Sequence, residues 1–294
     1  MKQTSQNETR ATLLVSCKDR PGLVAALAQA LYTQGSNILD ADQHTDPKAG
    51  QFFQRIHFDD PELAGPDRDG ATRRLEATIR GIASRYEMTW KLHFQAEPTR
   101  VALFASKTDH CLYDLLLRHR SGELTCNIPL IISNHELLRP VADHFGIPFH
   151  VFPVTAETKA EVEKAEIALL EESNIDLVVM ARYMQILSGD FCDHFASRVI
   201  NIHHSFLPAF AGGRPYHQAF GRGVKLVGAT AHYATRDLDE GPIIAQDVIP
   251  VSHSDTPEDL VRRGRDVERR VLSRAVRAHL EHRIAVYDNK TVVF

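Results

Sequence analysis

Val101-Ala-Leu-Phe-Ala105 runs through Ser106-Lys-Thr into a helical pattern over residues 109–118, and Cys126-Asn-Ile-Pro-Leu-Ile-Ile132 follows. Both apolar runs are short and bounded by turn residues, so they read as buried strands joined by a helix. The pattern repeats outward from there. Phe149–Val154 and Asp176–Met180 are further strands, with helical periodicity over 135–145 and 157–173 between them. Strands alternating with helices predict a Rossmann-like α/β domain, a mostly parallel sheet covered on both faces. Such sheets take ligands beyond the carboxyl ends of their strands. Lys225–Ala234 and Ile243–Val251 add two strands, and a long helix is expected over 257–281.

The first third of the chain has another order. Residues 11–16 read as a strand ending in Asp19-Arg-Pro-Gly22, after which Leu23, Ala26, Leu27, Ala30 and Leu31 recur at helical spacing. Gln34-Gly-Ser-Asn37 stops that helix, and Ile38-Leu39 opens an extended segment. Strands at 52–58 and 88–94 flank a helix at 72–86. This β-α-β-β-α-β order predicts a ferredoxin-like α+β domain. The polar stretch Gln95-Ala-Glu-Pro-Thr99 reads as the linker, giving domains of 1–95 and 96–294.

Composition sets limits on function. At 294 residues, 43% hydrophobic and 24% charged, the chain suits two soluble globular domains. A formal net charge of −4 gives no footprint for nucleic acid. No apolar run approaches a membrane span, and the polar first ten residues predict no secretory signal. Cys17, Cys111, Cys126 and Cys192 form no C-x-x-C pair, which favours a reducing, cytoplasmic setting over a disulfide framework.

The chemistry concentrates in Val199-Ile-Asn-Ile-His-His-Ser-Phe-Leu-Pro208. Val199–Ile202 reads as a strand, so Asn201 and His203 share one face, and His204 is expected to point away from His203. Asp239 lies in a turn marked by Gly241-Pro242 and could add a carboxylate. Asn201 and His203 can donate to a developing oxyanion, and a carboxylate can handle the proton of an attacking water. The plain alternative is a structural hydrogen-bond network with a turn-capping Asp. A zinc site from His203, His204, His232 and Asp239 is the chemical rival, but no paired-Cys, H-x-x-x-H or H-E-x-x-H spacing supports it. No metal is expected.

Asn201-Ile-His203, Ser205-x-Leu-Pro208 and Leu238-Asp-x-Gly-Pro242 resemble the active-site signature of the folate-dependent formyltransferases, and within that group the formyltetrahydrofolate deformylases. Ser106–Leu112, Arg120–Leu124, Ile132–His135 and Ala181–Leu187 support the likeness, as do Asp19–Gly22 and Asp42–Pro47 in a region that resembles an ACT domain. The resemblance implies catalysis by Asn201, His203 and Asp239, and a pterin pocket lined by Met184, Gln185, Ile186 and Leu187. Arg182 stands where the glycinamide enzyme has a small residue, and Ser106–His110 lacks the Gly-rich loop that cradles that enzyme's substrate phosphate. The expected reaction is therefore hydrolysis of 10-formyltetrahydrofolate to formate and tetrahydrofolate, with no cofactor, balancing the one-carbon pool and feeding purine synthesis. A formyltransferase with an amine acceptor and a non-catalytic folate or amino-acid sensor are the alternatives. The ACT-like region implies an amino-acid effector near Asp19, Arg20, Pro21, Gly22 and Asn37, and a homo-oligomer, more a tetramer than a dimer.

Overall fold

The computed structural model describes residues 7–209 and 215–294. The chain divides into two compact units. The first runs to Pro98 and takes in His282–Ala285 and Val292–Phe294, and the second holds Thr99–Glu281 and Val286–Thr291.

In the first unit, β1 (Arg10–Lys18), β2 (Asn37–Asp46), β3 (Gln51–Asp59) and β4 (Thr89–Phe94) form an antiparallel sheet of order β2-β3-β1-β4. Helices α1 (Leu23–Thr33) and α2 (Arg68–Tyr86) complete the expected β-α-β-β-α-β order. The pleat sends Ala11, Leu13, Val15 and Cys17 of β1 to one face, where they meet Leu23, Leu27 and Leu31 of α1 and Leu75 and Ile79 of α2. Each of the Val, Leu and Ile side chains contributes roughly 1.5–3 kcal/mol on burial. Gly22 caps α1 at φ +92°, a backbone state open to glycine at little cost. At the other end of the chain His282 stacks on His93, with ring centroids 3.7 Å apart, and its carbonyl accepts from Arg55 Nε at 3.2 Å.

The second unit is built on seven strands in the order β11-β10-β9-β8-β5-β6-β7. These are β5 (Arg100–Ala105), β6 (Asn127–Ser133), β7 (Phe149–Val151), β8 (Leu177–Met180), β9 (Val199–His203), β10 (Leu226–Tyr233) and β11 (Ile243–Pro250). Strands β5 to β9 run parallel, whereas β10 and β11 are antiparallel. The chain leaves β5 toward β6 and β7, then returns to β8 on the other side of β5. That reversal opens a crevice at the carboxyl ends.

Helices α3 (His110–Arg120), α4 (Arg139–Phe145), α5 (Lys159–Glu172), α6 (Gly189–His194), α7 (Pro215–Arg222) and α8 (Pro257–Leu280) complete the unit. The helix expected over 135–145 is a 3-10 turn at Glu136–Leu138 followed by α4, because Pro140 has no N–H and belongs in a first turn. The strand expected over Phe149–Val154 ends at Val151, just before Pro153. α8 starts on a capping box, with Thr256 and Asp259 each accepting from the other's backbone N–H.

Candidate active site

β9 lies between β8 and β10, with Asn201 opposite Met180 on one side and His232 on the other. His203 Nδ1 lies 3.2 Å from Asp239 Oδ2, and the two side chains are each 6% exposed. A ring nitrogen beside a carboxylate oxygen carries the proton, so in the neutral imidazole Nε2 holds the lone pair. His203 Nε2 is buried and has no hydrogen-bond partner among the described residues. His232 Nδ1 donates to the Tyr233 carbonyl at 3.0 Å, which leaves its Nε2 to accept from Asn201 Nδ2 at 3.3 Å. This fixes the Asn201 amide and leaves its second N–H for a ligand. Burial lowers the pKa of His232 and keeps it neutral in that role.

Two local devices hold the set. Asp239 adopts φ +59°, a left-handed conformation that Asp tolerates better than most residues. At Gly241 a Cβ would collide with the Tyr233 carbonyl, and only glycine lets Pro242 O accept from Tyr233 N–H at 2.9 Å. The turn after β9 hangs on Thr230, whose hydroxyl donates to Ser205 O at 2.9 Å. Thr230 Oγ1 itself accepts from Leu207 N–H at 3.0 Å and Gln246 Nε2 at 2.9 Å. Buried polar groups with every partner placed keep a site from drifting.

The segment after β8 forms a second wall. Met184 N–H donates to Ser106 Oγ at 2.8 Å, and that hydroxyl donates to Asn134 Oδ1 at 2.7 Å. Tyr183 OH donates to Glu166 Oε1 at 3.0 Å, and Ser188 N–H donates to Glu163 Oε1 at 2.9 Å. Between these anchors, the backbone groups of Gln185, Ile186 and Leu187 join no backbone hydrogen bond among the described residues. An ordered backbone edge with unused donors and acceptors is suited to the polar rim of a planar ring. Met184 and Ile186 are exposed while Leu187 is buried. Asn201, His203, Asp239 and Met184–Leu187 all line one cleft.

His204 departs from expectation. β9 ends at His203, so strand alternation no longer governs the next residue, and His204 lines the same cleft as His203 with ring centroids 5.3 Å apart. Burial first, then the Arg182 cation, pushes its pKa down to about 3. His232 lines the cleft as well. The network of Arg182, Glu268, His110 and Tyr216 carries no spacing signal in the sequence. Its members come from four separate elements, and only α8's helical periodicity marks position 268 as inward-facing. His110, Cys111 and Glu268 offer donor atoms within 4.8 Å of one another. Arg182 Nε lies 3.3 Å from the same Glu268 oxygen that His110 meets at 2.9 Å, and burial holds the Cys111 thiol well above its usual pKa. A cation already beside the carboxylate and a protonated thiol fit an ion pair better than a divalent metal.

A model of the formyl transferase family matches residues 99–276, and one of the ACT domain matches residues 11–79. A formyltetrahydrofolate deformylase from a Synechocystis species is 57% identical over 291 residues, 98% of this chain and 99% of the relative. The chain belongs to the formyltetrahydrofolate deformylase family. The Bacillus subtilis member is 48% identical over 98% of this chain and 95% of its own length. The crystal structure of the Pseudomonas syringae member superposes with a TM-score of 0.92 at 46% identity, covering 97% of this chain and 95% of that one. A glycinamide ribonucleotide transformylase from Symbiobacterium toebii covers 69% of this chain and 98% of its own, with a TM-score of 0.65 at 32% identity. No helix among the described residues is long and apolar enough to cross a membrane.

Proposed function

We propose that the protein hydrolyses 10-formyltetrahydrofolate to formate and tetrahydrofolate through Asn201, His203 and Asp239. The observation that carries the assignment of these roles is the His203–Asp239 pair at 3.2 Å, with a buried, unpartnered His203 Nε2 in the cleft that Asn201 also lines. The pterin ring lies against Met184, Gln185, Ile186 and Leu187, whose unused backbone groups match its polar edge. Water attacks the formyl carbon, and the His203–Asp239 pair takes its proton as the new C–O bond forms. The Asn201 amide N–H and the protonated His203 Nε2–H stabilise the oxyanion. The C–N10 bond then breaks, N10 receives the proton from His203, and formic acid loses its own to solvent. Atoms and charge balance as formate, tetrahydrofolate and one proton.

In this reading the enzyme works in the cytoplasm with no cofactor, balances the one-carbon pool and supplies formate for purine synthesis. Residues 1–95 serve regulation and homotetramer assembly, with an amino-acid effector at Asp19, Arg20, Pro21, Gly22 and Asn37, and residues 96–294 serve catalysis. The test is formate release from 10-formyltetrahydrofolate by purified protein with no amine present. Stoichiometric formate and tetrahydrofolate are expected. Product that forms only after an amine is added makes the enzyme a transferase, and binding without product makes it a sensor.

A further inference from the structure

Arg182 is a half-buried cation on the cleft, and the hydrolysis just described gives it no task. It follows Ala181 beyond β8 in a left-handed conformation at φ +66°, where a bulky side chain is strained and glycine would be relaxed. Its side chain is 13% exposed and lines the cleft with Asn201, His203, His204 and Asp239. Behind it stands Glu268 on α8, 2% exposed, which accepts from Tyr216 OH and His110 Nε2 at 2.9 Å each. Arg182 Nε lies 3.3 Å from this carboxylate and makes no well-aligned hydrogen bond. The guanidinium donates to no acceptor among the described residues. The other arginine on the cleft, Arg236, is exposed and engaged by Asp193 and Asp190.

A half-buried cation on a strained backbone persists where the surroundings fix it for a task. A planar fork of donors beside a reacting formyl group matches one species that this reaction creates, the carboxylate of formate. We propose that Arg182, fixed by Glu268, is the binding residue for the formate product, a subsite for a small planar carboxylate beside His203 and His204. His204 cannot compete as a cation there, because it stays neutral through the physiological range.

This inference rests on the proposed hydrolysis, and one experiment separates the two. Formate inhibition of hydrolysis is measured for the full-length wild type, Arg182→Gln, Arg182→Gly and Arg182→Lys. The formate inhibition constant should rise ten-fold or more in the Gln and Gly variants, and Lys, which keeps the charge but not the planar fork, should recover only part of that loss. The rise in the formate inhibition constant should exceed any rise in the KM for 10-formyltetrahydrofolate by several-fold, a split that a general loss of structure would not produce. The Gly variant relaxes the backbone at this position and carries the test if the Gln variant does not fold. Wild type that releases no formate overturns the hydrolase reading itself. Wild type that releases formate, with inhibition constants unchanged in the Gln and Gly variants, overturns only the subsite.

Discussion

In the second unit the candidate catalytic groups are withdrawn from water and tied to fixed partners: His203 and Asp239 expose 6% of their side chains, and Asn201 is held by a neutral His232. The candidate effector residues of the first unit are arranged in the opposite way. Asp19, Pro21, Gly22 and Asn37 are exposed, and Arg20 meets Glu87 only at 3.9 Å. Donors aimed at a transition state must be in place before the reaction, since reorganising them would raise the barrier. A regulatory pocket carries no such demand, because its ligand, or a second copy of the chain, can order the groups on arrival. Substitutions in the two regions should therefore differ in kind. Those in the second unit act on rate, and those in the first act on response to a ligand.

The largest effect is expected at Asp239. Asp239→Asn keeps the shape of the turn but removes the charge that stabilises protonated His203. Turnover should fall by about 10² or more, with folate affinity within a few-fold, as read by formate release and equilibrium titration. Unchanged turnover would take Asp239 out of the mechanism and make the buried pair a structural one.

Ser106→Ala sharpens the contrast within the second unit. It removes the hydroxyl that accepts from Met184 N–H and donates to Asn134. A net hydrogen bond contributes about 0.5–1.5 kcal/mol, so the KM for the folate should rise by up to about ten-fold while kcat falls less. A fall in kcat alone would show that this wall does not bind the pterin.

Glu166 supplies a pH test of the same wall. Burial raises its pKa from 4.5 to about 7, and among the described residues only Oε1 has a partner, Tyr183 OH. Because the folded-state value is the higher one, this stabilisation is complete below about pH 4.5 and is lost as pH rises through about 7. Glu166→Gln imitates the neutral acid. Its stability should equal that of wild type at pH ~4 and exceed it at pH ~9, by up to about 3 kcal/mol, read as a higher melting temperature. Equal melting curves at both pH values would mean that the acid ionises in place without cost.

Legibility in the sequence followed how local each cause was. The β-α-β alternation from Val101 onward and the β-α-β-β-α-β order before it were readable because period and punctuation are local properties of the chain. Asn201, His203 and Asp239 were readable because a strand end and a Gly-Pro turn mark them. The side that His204 faces was not, since it depends on β9 stopping at His203, and pairing with neighbouring strands sets that limit. Arg182 and Glu268 are 86 residues apart by their numbers (268 − 182), and only the packing of α8 brings them together. Long-range ion pairs leave no periodic trace in a single sequence.

The smallest effects belong to the first unit, where Asp19→Ala and Asn37→Ala test the other side of the comparison. Both residues are exposed, so their loss should change ligand-free stability by no more than about 0.5 kcal/mol. A ligand that binds only the folded state raises stability by RT ln(1 + [L]/Kd), about 2.7 kcal/mol at a hundred times Kd. The measurement is a thermal scan of the full chain against a panel of free amino acids. Wild type should gain several degrees with one of them, and each variant should lose most of that gain while its ligand-free melting temperature stays in place. If no amino acid shifts wild type, the loop after β1 serves assembly alone. If one does and both variants respond equally, the effector binds elsewhere. Loss of the shift in the variants, with formate release unchanged in the absence of the amino acid, would establish that exposed groups in one unit regulate while buried groups in the other catalyse.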